Sequence, residues 1–109
     1  MAYLRKEEDE LEVSYPLGKV WMAIPKVLDG LEWTTEEIDE VAHQIRAKTE
    51  AGRVSWGSVL VEVSSLDENT TRVSVLAQTV VTTITAIIDF GKARRMINMF
   101  FGELLKHLA

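Results

Sequence analysis

Apolar residues Leu17, Val20, Trp21, Ile24, Leu28 and Leu31 recur at spacings of three, four and seven, which lays one stripe along a helix over residues 17 to 31. Pro16 suits the first helical turn, where its missing N–H is not needed, and Gly30 suits the residue after the end. Pro25 falls inside the pattern, so a kink near Trp21 and Met22, or a break into two pieces, is expected. A second stripe, Phe90, Ala93, Ile97, Phe100, Phe101, Leu104 and Leu108, runs over about five turns behind Asp89, which reads as its N-cap.

Between and before these helices the period changes to two. Leu11, Val13 and Tyr15 alternate with Glu12 and Ser14, and Ile45, Ala47 and Thr49 alternate with Arg46 and Lys48. Val59, Val61 and Val63, with Val73, Val75 and Ala77, mark the centre of a sheet, while Trp33 to Asp39 is acidic and only loosely alternating. For the odd-numbered valines of both central strands to share one face, the loop between them must hold an odd number of residues. Asp67-Glu68-Asn69 fits, pairing Leu66 with Thr70, Val63 with Val73 and Val61 with Val75, with Asn69 in the left-handed conformation; a five-residue loop keeps the same parity. The order is β-α-β-β-β-β-α: a two-layer α+β domain over residues 1–109, its antiparallel sheet covered by a long C-terminal helix.

Composition narrows the class without naming a function. At 109 residues and 47% apolar the chain has the size and balance of one globular domain. The absence of cysteine removes disulfide, thiolate-metal and thiol-nucleophile chemistry. The charged N-terminal stretch is unlike a secretory signal, and the apolar run Val73 to Ile88 is interrupted by Ser74, Gln78 and four threonines, so a cytoplasmic location without membrane insertion is expected.

The opening Leu11-Glu12-Val13-Ser14-Tyr15-Pro16 followed by Val20-Trp21, the strand Thr71-Arg72-Val73-Ser74-Val75, and the closing Asp89-Phe90-Gly91-Lys92 into a long helix resemble the helix-grip domains. These form the START and pollen-allergen-like superfamily, related to the TATA-binding-protein-like α+β folds. The resemblance implies a hydrophobic ligand held between a curved sheet and the C-terminal helix. It also brings in relatives that are cyclases or hydrolases using a single polar group, a role that would fall here to Glu62, His43 or Asp89.

Large rings and adaptable thioethers line apolar pockets, which singles out Trp21, Trp56, Met96, Met99 and Phe100; the plainer alternative is that they are core. Trp56, in Ser55-Trp56-Gly57 between two strands, is the pocket-rim candidate. Lys92, Arg94 and Arg95 open the last helix, where the macrodipole disfavours each cation by roughly 0.3–1 kcal/mol. Arg94 and Arg95 could anchor an acidic headgroup, or salt-bridge to the acidic body of the chain. The charge is uneven: four cations and two anions give +2 for residues 89–109, leaving −7 before them. The acidic run Asp29, Glu32, Glu36, Glu37, Asp39 and Glu40 lacks a calcium-loop pattern and reads as a solvated edge. His43 and His107 share no metal-ligand spacing, so no catalytic residue, metal site or cofactor is assigned. Net charge −5 and the absence of a cationic stripe speak against nucleic acid.

The expected function is non-enzymatic binding of a small hydrophobic or amphiphilic ligand, or of a protein partner, between sheet and last helix. A cyclase-like or hydrolase-like enzyme is one alternative. A homodimer stacked through the apolar face Leu60, Leu76 and Val80 is another.

Overall fold

The computed structural model describes residues 3–49, 57–81 and 91–109. Its elements are β1 (Tyr3–Val13), α1 (Leu17–Gly30), β2 (Thr34–Asp39), β3 (Gln44–Thr49), β4 (Gly57–Asp67), β5 (Thr70–Val81) and α2 (Lys92–Leu108). The strands form one antiparallel sheet in the order β1-β5-β4-β3-β2, with both helices packed on one face. This is the expected two-layer α+β architecture.

Period-two parity decides what faces the helices. Ile45, Ala47, Val59, Val61, Val63, Val73, Val75 and Ala77 are all buried. They meet Val20, Ala23, Ile24, Val27 and Leu28 of α1 and Ala93, Met96, Ile97, Phe100, Leu104 and Leu108 of α2. The central pairing is the one parity requires, Val63 opposite Val73 and Val61 opposite Val75.

Its turn differs from expectation. Thr70 pairs with Asp67 rather than Leu66, leaving a two-residue turn, Glu68-Asn69, and the register shifts between Ser65 and Asp67. An extra residue in β4, a bulge, thus supplies the odd count that a three-residue loop was expected to supply. Asn69 is not left-handed; its N–H donates to the Asp67 carboxylate (2.8 Å), which fixes the turn through a side chain.

Three further boundaries move. β1 starts at Tyr3 and ends at Val13, so Tyr15 lies outside it. Its early residues escape the alternation pattern because Glu7 and Asp9 hold the helix-facing positions that a core strand would fill with apolar groups. They stand opposite Ala77 and Val75 and meet Arg94 of α2. α1 continues unbroken through Pro25, whose ring is on the exposed side, where water can satisfy the carbonyl that proline leaves unpaired. α2 starts at Lys92 with Gly91 as its N-cap at φ 73°, in place of Asp89, which lies outside the described residues together with Phe90.

β2 is exposed at all six positions, as an acidic edge strand should be, and a bulge at Glu36 interrupts its pairing with β3.

Candidate functional site

The structure separates the aromatic and methionine set. Phe100 is fully buried and stacks on Trp33, with ring centroids 6.5 Å apart and an interplanar angle of 14°. Trp21 is half-buried on α1 and presents itself edge-on to His43, 5.1 Å away. His43 occupies a left-handed turn position just before β3 rather than a strand position facing the interior. Met99 is 51% exposed, whereas Met96, one turn earlier, is buried. Trp56 lies outside the described residues.

Arg94 is engaged by the protein itself. Its guanidinium donates to Asp9 Oδ2 at 2.8 Å and to Glu7 Oε2 at 3.4 Å. That contact, with the backbone N–H of Glu10 donating to Asp9 at 2.8 Å, holds the Asp9 carboxyl below its ordinary range, and Asp9 in turn raises Arg94. Arg95 is exposed, and its N–H donates to the Gly91 carbonyl at 3.0 Å in the first turn.

A different group of residues forms a polar row in the interior. Thr49, Gly57 and Thr79 stand side by side across β3, β4 and β5, on the face that carries the buried valines. Thr49 is 2% exposed and Thr79 1%, and neither hydroxyl has a hydrogen-bond partner among the described residues. Gly57 lets α2 approach between them: a Cβ there would lie 3.3 Å from Cε of Met96 and 2.5 Å from the Gln78 carbonyl oxygen. A buried hydroxyl without a partner costs about 1–3 kcal/mol, so two in one row are an unmet demand for hydrogen bonds. Thr49 already appeared in the alternation of β3. Thr79 continues the odd-numbered set of β5, so parity marked both as inward-facing.

Elsewhere between sheet and α2 the described interior is apolar, with Ile24, Leu28, Ile97 and Leu104 fully buried beside Phe100. Among the described residues its buried polar groups are Thr49, Thr71 and Thr79, with no carboxylate or histidine. Glu62 lies on the opposite sheet face, where it accepts a hydrogen bond from Gln44, and Asp89 lies outside the described residues. An open groove of about 470 Å³ is bordered by Glu36, Arg46, Lys48, Ser58, Leu60, Leu76 and Gln78 of that opposite face, and Gly57, Val59 and Thr79 also line it. No group of side chains suited to hold a metal ion occurs among the described residues, and no described helix is long and apolar enough to cross a membrane.

A five-stranded antiparallel sheet gripped by a long C-terminal helix defines the helix-grip, pollen-allergen-like fold, and solved structures share it across nearly the whole chain. An uncharacterised protein from Rhizobium leguminosarum superposes with a TM-score of 0.70 at 14% identity, covering 99% of this chain and 96% of that one. The Zhui aromatase/cyclase from Streptomyces sp. R1128 gives 0.65 at 16% identity, covering 98% and 97%. Norcoclaurine synthase from Thalictrum flavum, in complex with dopamine and hydroxybenzaldehyde, gives 0.59 at 12% identity, covering 97% and 89%. No family model matches the chain, and no curated protein matches it in sequence.

Proposed function

We propose that the protein binds a small amphiphilic molecule at the end of the interior where Thr49, Gly57 and Thr79 face Met96. The observation that carries this reading is the pair of buried hydroxyls that have no hydrogen-bond partner among the described residues, in a largely apolar core. A ligand oxygen would satisfy both hydroxyls, while an apolar ring or short chain packs on the Met96 thioether, which adapts readily to irregular shapes. The fold is shared with a synthase that holds dopamine and hydroxybenzaldehyde and with an aromatase/cyclase, which supports a compact phenolic or carbonyl-bearing ligand. Binding without turnover is favoured: threonine hydroxyls orient a ligand but do not exchange protons near neutral pH, and the described interior holds no group that does.

Methyl and amide chemical-shift titration with 4-hydroxybenzaldehyde, dopamine and octanoate tests this. The expected result is saturable shifts at the Met96 methyl, Thr49 and Thr79, weakened by about tenfold or more in T49V/T79V. Shifts confined to other surfaces, or none at millimolar ligand, would overturn it.

A further inference from the structure

We propose that the outer face of the sheet, opposite the helices, is a two-fold interface between two copies of this chain. One cross-strand row on this face reads Glu8, Leu76, Leu60, Arg46 across β1, β5, β4 and β3. Of the five acidic residues of β1, Glu7 and Asp9 are held by Arg94, and Glu10 and Glu12 by Arg72. Glu8 alone has no ion pair among the described residues. At the other end of the row Arg46 has none either, although Glu37 lies opposite it on β2. Two opposite charges without an ion pair among the described residues thus flank two half-buried leucines; the surrounding Lys6, Lys48, Glu36 and Glu37 likewise have none among the described residues, so it is the order of charge along the row that marks it.

The strand order turns this row into a self-complementary surface. β1 lies one strand beyond β5, and β3 one strand beyond β4. A two-fold axis parallel to the strands, between β4 and β5, therefore lays β1 over the partner's β3. It sets Glu8 against the partner's Arg46 and Leu76 against the partner's Leu60, with the same contacts repeated in reverse. Stacked sheets sit about 10 Å apart, a gap that leucines fill from both sides and that glutamate and arginine together can span. The next row, Lys6, Gln78, Ser58, Lys48, brings lysine towards lysine; Glu36, beside Lys48 in the groove, is the countercharge there. Val80, expected on the same face, has no described side chain.

Sedimentation equilibrium over a concentration series, with far-UV circular dichroism as a fold control, tests the pairing by charge reversal. The wild-type chain should dimerise, and E8R and R46E should each weaken dimerisation by about tenfold, because each sets like charges together twice. The double variant E8R/R46E should return to within about threefold of wild type. Independently of any variant, isotope-filtered NOEs on a mixed-labelled wild-type sample should connect Leu60 and Leu76 methyls between subunits. A chain that stays monomeric up to about 1 mM, a dimer indifferent to either reversal, a double variant no better than the singles, or absence of those NOEs in a dimer would overturn the proposal. Dimerisation is read separately from ligand titration, so the inner site and the outer face stand or fall independently.

Discussion

Thr71 and Thr79 stand on the same buried face of β5, yet the Thr71 hydroxyl donates to the Tyr15 carbonyl at 2.7 Å while the Thr79 hydroxyl has no partner among the described residues. One residue type in one strand therefore serves opposite ends. At Thr71 it ties the chain between β1 and α1 to the sheet; at Thr79 it carries an unmet hydrogen bond.

Valine is nearly the shape of threonine, so the two replacements should move stability in opposite directions. T71V strands the Tyr15 carbonyl and should cost about 1–2 kcal/mol, whereas T79V removes an unsatisfied group and should gain about 1 kcal/mol in the absence of ligand. Urea denaturation of both variants checks this. Equal losses at the two positions would mean that Thr79 is satisfied in solution.

Asp9 supplies a pH signature. Its folded carboxyl is held below the unfolded value by the Arg94 hydrogen bond first and the Glu10 N–H second. The stability it contributes is therefore present above the unfolded carboxylate pKa and is lost as pH falls through the lowered folded value. Carbon-detected NMR titration should show Asp9 titrating at lower pH than an ordinary aspartate, with the midpoint moving up in R94Q. The pair is solvent-exposed, so the effect should shrink as ionic strength rises.

Phe100 and Met99 are neighbours in sequence with opposite surroundings. F100A removes a fully buried ring stacked on Trp33 and should cost about 3–5 kcal/mol, a large share of a small domain's stability. M99A, at a position 51% exposed, should stay within about 0.5 kcal/mol. Chemical denaturation of the two variants separates core from surface on α2.

That contrast also shows what was readable beforehand. The stripe Ala93, Ile97, Phe100, Leu104, Leu108 was legible because helix periodicity and burial coincide there, and Met99 sits about one residue's rotation off it. Valine parity was legible for the same reason, and it carried the β4–β5 register even though the turn chemistry was different. The early part of β1 was not legible: its helix-facing carboxylates are stabilised by Arg94, 85 residues away from Asp9, a relation no local window contains. The candidate site was half legible. Parity turned Thr49 and Thr79 inward, but that neither has a partner among the described residues depends on the pairing of three strands at Gly57 and on Met96 reaching over it.

The strand order also sets a timetable. Tyr3 pairs with Val81, so β1, the first strand to leave the ribosome, has no place in the sheet until β5 has been made. The β2–β3 and β4–β5 hairpins can close locally, whereas docking β1 requires closing the long stretch between Val13 and Thr71, the kind of long-range step that slows folding. During that wait the run Glu7 to Glu10 keeps the strand charged and poorly suited to pairing with another nascent chain. The acidity of β1 thus protects the unfinished protein as well as the finished one.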